Sequence, residues 1–146
     1  MLSFVTNSEV NIFDKSIWVC PVCFCESCFH DYDKIEIDAS MQKILKILND
    51  KGYKTQYHCG GHVNKKYQNK FIQIYIRFYN NVCFSLDEMN SIGDGWEWDF
   101  SHHANDLNFI VRPNIRKNIT EDEVVKLLEE KHKELFNWAN KLKEVK

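Results

Sequence analysis

Apolar positions recur along the chain with two different periods, and each period predicts one type of element. Residues 38–51, DASMQKILKILNDK, carry apolar side chains at the i, i+3, i+4 and i+7 spacing of an amphipathic helix. Asp38 or Ser40 is the expected N-cap of this helix. Gly52 is placed for the left-handed conformation that ends many helices.

Strict alternation of apolar and polar residues predicts strands elsewhere. In KFIQIYIRFYN, residues 70–80, isoleucines and a phenylalanine fall on one face, while Tyr75 and Arg77 fall on the other. NNVCFSL is expected to be its partner in a hairpin that turns at Asn80 and Asn81, with Cys83 as a small core residue. The remaining predicted strands are SIWV, the segment Tyr53–Tyr57, WEWDF and LNFIVRP.

A long helix closes the chain, because Thr120 and Glu123 form a capping box ahead of an apolar stripe that runs to Leu142. The order of elements predicts a single α+β domain over residues 1–146. We expect a mainly antiparallel sheet of about four or five strands with two helices packed on one face.

Composition and charge exclude several classes of function. Nineteen Lys and Arg against twenty-one Asp and Glu give a net charge of -2, so non-specific binding to duplex DNA is not expected. No segment has the apolar length of a membrane span or the pattern of a signal peptide, which predicts a cytoplasmic protein without a membrane partner. In a reducing compartment, six cysteines are better explained as metal ligands or buried thiols than as disulfides.

Two short motifs have the spacing of zinc ligands. Cys20 and Cys23 are separated by two residues, and so are Cys59 and His62, whose intervening glycines permit a tight turn. Together they make a Cys3His set, the type of set that holds a structural Zn²⁺. A set closed by four protein ligands leaves no coordination position for a substrate.

The cysteine-rich segment also allows other interpretations. Cys25 and Cys28 form another pair of the same spacing, and they could replace or supplement Cys20 and Cys23. Four neighbouring thiols are also compatible with an iron–sulfur cluster or with redox chemistry.

The motifs CPVC, GYKTQYHCGGH and IYIRF, with an amphipathic helix between the first two, resemble a family of small zinc-binding proteins of low-GC Gram-positive bacteria and their phages. The resemblance covers Cys20 to about Arg112 and is strongest over residues 52–62. It implies zinc ligation by Cys20, Cys23, Cys59 and His62 and supplies no reaction. The chain departs from the pattern at His58, where a second Cys is common, and in its additional CESC.

The candidate ligand site is the polar strand face that carries Tyr75 and Arg77, with Arg112 nearby. Arginine binds phosphate or carboxylate through two parallel hydrogen bonds, and aromatic rings stack on bases. The leading hypothesis is therefore a non-enzymatic, zinc-stabilised binding protein, an accessory factor of a phage or mobile element whose ligand is nucleotide-like or a host protein. The alternative is that the terminal helix covers this face and that Arg77 forms an ion pair with Glu97 or Asp99.

Two further functions are kept as alternatives. DFSHHAND contains His102, His103 and Asp106, which could bind a second metal ion or act as acid and base in a metal-dependent hydrolase or a nucleic-acid-modifying enzyme. A pure protein-interaction module would instead expose an apolar patch and have no small-molecule pocket.

Overall fold

The structure, a computed structural model, describes residues 11–63, 72–101, 105–111 and 119–145. Within these residues the strands form two antiparallel sheets, of two and four strands, which confirms the α+β fold. The smaller sheet is a hairpin in which β1 (Ser16–Val19) pairs with β2 (Ile35–Asp38). The fifteen residues between these strands, 20–34, return the chain to its starting point, and we name them the cysteine loop.

The larger sheet has the strand order β3, β4, β6, β5. Its strands are β3 (Thr55–Cys59), β4 (Ile72–Phe78), β5 (Trp96–Asp99) and β6 (Asn105–Val111). The predicted alternation in β4 is confirmed, because the isoleucines and Phe78 are buried while Gln73, Tyr75 and Arg77 are half-buried. The two edge strands are therefore β3 and β5, and β3 is the one next to the small hairpin.

Three helices lie within the described residues: α1 (Gln42–Asp50), α2 (Leu86–Asn90) and α3 (Glu121–Lys141). The capping box of α3 is confirmed, since Glu123 N–H donates to Thr120 Oγ1 at 3.2 Å and Thr120 N–H donates to Glu123 Oε1 at 2.8 Å. None of these three helices combines the length and the apolar composition needed to cross a bilayer.

The predicted C-terminal end of the first helix is confirmed, and its predicted N-cap is not. Gly52 has φ of +100°, the left-handed conformation expected beyond the C-terminus. The N-cap prediction is wrong for both Asp38 and Ser40, because a 3₁₀ turn (Ala39–Met41) precedes α1, its N-cap residue is Met41, and the Asp38 side chain makes no capping bond. Its carboxylate instead accepts a hydrogen bond from the backbone N–H of Gly60 at 2.7 Å.

The predicted hairpin strand NNVCFSL is also wrong. The chain does turn at Asn80 and Asn81, but residues 82–85 are irregular and the next element is the short helix α2. Ser85 and Glu88 form a capping box that starts this helix. Cys83 is exposed rather than part of the core.

Both longer helices contribute to one hydrophobic core with the apolar face of β4. This core contains Leu45 and Leu48 of α1, Leu128 and Leu135 of α3, and the buried side chains of β4. Lys51, just beyond α1, donates from Nζ to the carbonyls of Ala139, Asn140 and Leu142 at 2.9, 2.7 and 2.6 Å. A cation at the carbonyl end of α3 satisfies acceptors that the helix leaves without partners, so it ties the two helices together.

Candidate metal centre

The cysteine loop begins with a tight turn that brings its backbone N–H groups close to sulfur. The N–H of Phe24 donates to the carbonyl of Cys20 at 2.9 Å, and the N–H of Val22 lies 3.4 Å from Cys20 Sγ. Phe24 adopts φ of +59°, although only glycine does so at little cost, and its ring is buried. Burial of this ring in the core anchors the turn that contains Cys20 and Cys23.

Four side chains of this loop converge on one point. Donor atoms of Cys20, Cys23, Cys28 and His30 all lie within 4.8 Å of one another. Nδ1 of His30 is 3.6 Å from Cys20 Sγ and 3.5 Å from Cys28 Sγ. Sulfur and nitrogen ligands at typical zinc distances, about 2.3 and 2.0 Å, stand about 3.5 Å apart in a tetrahedron. The group therefore has the composition and the spacing needed to hold a metal ion.

The pKa values of two of these thiols, Cys20 and Cys23, are lowered, so these two favour the thiolate form. The backbone N–H of Cys25 lowers the pKa of Cys23 to about 7. Desolvation would raise the pKa of Cys20, but the backbone N–H groups of Cys23 and Val22 outweigh it and lower that pKa. At Cys28, the N–H of His30 favours the thiolate, yet desolvation and the neighbouring thiols Cys23 and Cys20 raise the pKa. A bound cation relieves this repulsion between neighbouring thiolates.

The structure divides the four ligands predicted from sequence between two groups. Cys20 and Cys23 belong to the loop group just described, whereas Cys59 and His62 form a second group with Asp38. The single Cys20–Cys23–Cys59–His62 set is thus not the arrangement found. Cys28 and His30, which complete the first group, were not in the predicted set, and Cys25 belongs to neither group.

The second group lies where β2 and β3 end side by side. Asp38 is the last residue of β2, Cys59 is the last of β3, and His62 follows the Gly60–Gly61 turn. Burial raises the pKa of the Cys59 thiol, although the backbone N–H of Gly61 opposes that shift. His62 Nδ1 lies 3.6 Å from Oδ1 of Asp14.

The sequence predicted a ligand site around Tyr75 and Arg77, but the guanidinium of Arg77 is already engaged within the protein. Nε and Nη2 of Arg77 each donate to one carboxylate oxygen of Asp106 at 2.8 Å, and these bonds raise the pKa of Arg77. Asp106 is buried, with 3% of its surface exposed. Tyr75 is half-buried, and Arg112 lies outside the described residues. Arg77 therefore forms an ion pair within the sheet, but the predicted partners Glu97 and Asp99 are wrong, because its partner is Asp106.

We expect Arg77→Met to destabilise the fold, because it leaves the buried carboxylate of Asp106 without its cation. The double variant Arg77→Met, Asp106→Leu removes that carboxylate and should recover most of the loss. Urea denaturation of both variants measures the difference. Equal losses in the single and double variants would contradict a structural role for this ion pair.

The residues of the hydrolase alternative are only partly described. His102 and His103 lie outside the described residues. Asp106 is described, and both of its carboxylate oxygens accept hydrogen bonds from Arg77. An aspartate held in this way is poorly suited to act as a metal ligand or a base, so the structure adds no support to that alternative.

Relationships to other proteins give no further guidance. The resemblance to small zinc-binding proteins of Gram-positive bacteria and phages stays a prediction from the motifs quoted above. Comparison of the chain with protein-family models, with curated proteins and with solved structures finds no match.

Proposed function

We propose that this chain is a zinc-stabilised binding protein without catalytic activity, in which a zinc ion held by Cys20, Cys23, Cys28 and His30 shapes the surface that contacts a partner protein. The observation that carries this proposal is the convergence of three thiols and one imidazole within the cysteine loop. Four protein ligands fill a tetrahedral site, which leaves such an ion no position for a substrate. Its role is then to stabilise structure.

The donor set favours zinc over the other metal centres considered. Thiolate and imidazole ligands in a tetrahedron are typical of structural Zn²⁺. The cysteine loop supplies three thiols and one imidazole. An iron–sulfur cluster is usually held by four cysteine thiolates. Cys25, the remaining thiol of the loop, is not among the convergent donors, so the group lacks the fourth thiolate.

The cysteine loop and its flanking strands expose several large apolar side chains. Phe29 is fully exposed, and the other exposed apolar residues of this region are Trp18, Val22, Tyr32 and Ile35. Scattered single apolar residues are ordinary on protein surfaces, but aromatic side chains concentrated in one loop are typical of contact surfaces. A metal ion that fixes this loop would lower the entropy lost when a partner binds.

Charge on the same loop favours a protein over a nucleotide as the partner. Residues 20–34 contain three Asp and Glu side chains and one Lys. Three thiolates around Zn²⁺ add one further net negative charge. Phosphate groups would be repelled from this surface, whereas an apolar partner surface fringed by Lys or Arg would be attracted. The nucleotide-like ligand considered from sequence was assigned to Tyr75, Arg77 and Arg112, and the guanidinium of Arg77 is engaged by Asp106.

A peptide-display selection on the zinc-loaded protein tests this proposal. We expect the recovered peptides to combine aromatic or aliphatic residues with Lys or Arg, and to bind more weakly at high salt. Phe29→Ser should weaken their binding by about tenfold or more, since a central aromatic contact contributes at least about 1.4 kcal/mol. Because Phe29 is fully exposed, this substitution should leave the stability of the fold unchanged.

The matched control for this experiment is Tyr79→Ser, which removes an exposed aromatic side chain just after β4, outside the cysteine loop and its flanking strands, and should leave peptide binding intact. Stabilisation of the protein by nucleotides in a thermal-shift screen would instead support the nucleotide-like ligand. Failure to recover any peptide whose binding depends on Phe29 would contradict the proposed contact surface.

A further inference from the structure

Asp38, Cys59 and His62 form a compact group of three different metal-binding side chains. Their donor atoms all lie within 4.8 Å of one another, and all three residues are half-buried. Asp38 ends β2, while Cys59 ends β3 and His62 follows in the turn after it, so two separate backbone segments converge there. Carboxylate, thiolate and imidazole are each common zinc ligands.

The backbone around this group is held firmly in place. The N–H of Gly60 donates to Asp38 Oδ2 at 2.7 Å, and the N–H of Asp38 donates to Nε2 of His58 at 3.2 Å. A Cβ atom on Gly60 would stand 2.3 Å from Ser40 Oγ, so this turn packs directly against the residues that precede α1. The donor atoms are therefore positioned by the fold before any ion binds.

A second carboxylate, that of Asp14, lies next to the ring of His62. The side chain of Asp14 is almost fully buried, and its Oδ1 lies 3.6 Å from His62 Nδ1. The same oxygen accepts a hydrogen bond from the N–H of Val63 at 2.8 Å, which fixes the carboxylate beside the ring. Metal-binding histidines commonly have a carboxylate next to the ring nitrogen that does not bind the metal. The position of Asp14 thus suits metal binding through Nε2 of His62.

We propose that Asp38, Cys59 and His62 bind a second divalent transition-metal ion, separate from the ion of the cysteine loop, with one coordination position left for water or an anion. Binding replaces the proton of the Cys59 thiol with the metal ion and releases that proton to solvent. The charges of one thiolate, one carboxylate and the ion cancel, so an anionic fourth ligand is not repelled by the centre itself. This inference goes beyond the structural zinc site of the proposed function.

The space beside Asp38 can accommodate a fourth ligand. Asp38 and His58 line a groove of about 510 Å³ between β2 and β3, together with Phe24 and Tyr57. Of the three proposed ligands, only Asp38 lines this groove, so a fourth ligand would approach the ion from the Asp38 side. Metal sites with three protein ligands typically keep the fourth position for water or an exogenous ligand.

Cobalt titration of the reduced, metal-free 146-residue chain tests the proposal, because Co²⁺ reports its ligands through absorption. We expect two equivalents to bind. Sulfur-to-cobalt charge transfer should be roughly one-third as intense for this site as for the cysteine loop, since one thiolate binds instead of three. Sodium thiocyanate should shift the visible bands of this site only.

Variants assign each equivalent to its residues. Cys59→Ser and Asp38→Asn should each remove one equivalent and leave the strong spectrum of the cysteine loop, and Asp38→Asn keeps an oxygen that can accept the Gly60 hydrogen bond. Cys28→Ser should disrupt the other equivalent and leave this one. Cys83→Ser, an exposed thiol outside both groups, is the control that should change neither.

Different results separate this inference from the proposed function. A single equivalent that survives Cys59→Ser overturns the second site and keeps the first. A single equivalent that is lost in both Cys59→Ser and Cys20→Ser indicates one shared ion and overturns both assignments. Two equivalents without any response to thiocyanate overturn the open coordination position.

Discussion

In the variant Cys59→Ser, which disables the second metal group, removal of metal with a chelator is expected to lower the free energy of unfolding by about 4 kcal/mol relative to the same variant kept at a free zinc concentration 1,000 times the dissociation constant of the cysteine-loop site. The reason is that the ion binds the folded loop and has no comparable site in the unfolded chain. Val19 and Phe24, which flank the first ligand, are buried in the core. Loss of the ion should therefore loosen the edge of the core as well as the loop. Guanidinium denaturation with and without chelator measures the difference.

Two serine variants show whether this stabilisation comes from zinc bound in the cysteine loop. Cys28 is exposed, so Cys28→Ser should change the stability of the metal-free protein very little while removing most of the stabilisation by zinc. Cys25→Ser is the matched control, because Cys25 lies three residues away and is not among the convergent donors. Equal responses of the two variants to zinc would contradict the assigned ligands.

Alanine at Gly61 is expected to destabilise the fold by about 3 kcal/mol, and two separate penalties produce this loss. Gly61 has φ of +87°, where an L-residue is strained by about 1 kcal/mol. A Cβ atom there would also stand 2.6 Å from Cδ2 of Leu128, which is fully buried in α3. Forcing a core side chain from its preferred position typically costs about 1 to 3 kcal/mol. Urea denaturation measures the sum.

Gly93→Ala is the control that isolates the packing penalty. Gly93 also has a positive φ, of +133°, but its added Cβ would meet the half-buried carboxylate of Glu134, which accepts hydrogen bonds from Trp96 and Lys131, rather than a fully buried core side chain. We expect a loss of about 1 kcal/mol there. If Gly61→Ala costs no more than Gly93→Ala, the turn between Cys59 and His62 does not pack against Leu128 as described.

Much of the fold could be predicted from local patterns. The period of β4 and the capping box of α3 are both visible in the sequence, and both are confirmed. The segment after β4 was misassigned because Val82 and Phe84 alternate with polar residues as a strand would. Ser85 and Glu88 have the spacing of a capping box, so the rule that identified the start of α3 also applies to α2.

The metal groups were harder to predict, because ligand partners depend on how strands pair. β2 has only four residues and was not predicted, so the return of the chain beside β1 could not be anticipated. That return closes residues 20–34 into one loop and makes Cys28 and His30 the neighbours of Cys20. Asp38 is placed beside Cys59 for the same reason, since it ends β2. The partner of Arg77 likewise follows from the register of β4 with β6, in which Arg77 lies opposite Asp106.

X-ray absorption at the zinc edge, measured on the double variant Cys59→Ser, His62→Ala, tests the metal site of the cysteine loop most directly. With the second group disabled, we expect one zinc per chain with three sulfur ligands at about 2.3 Å and one nitrogen ligand at about 2.0 Å. A spectrum with two or fewer sulfur ligands, or a variant that no longer retains zinc, would contradict coordination by Cys20, Cys23, Cys28 and His30.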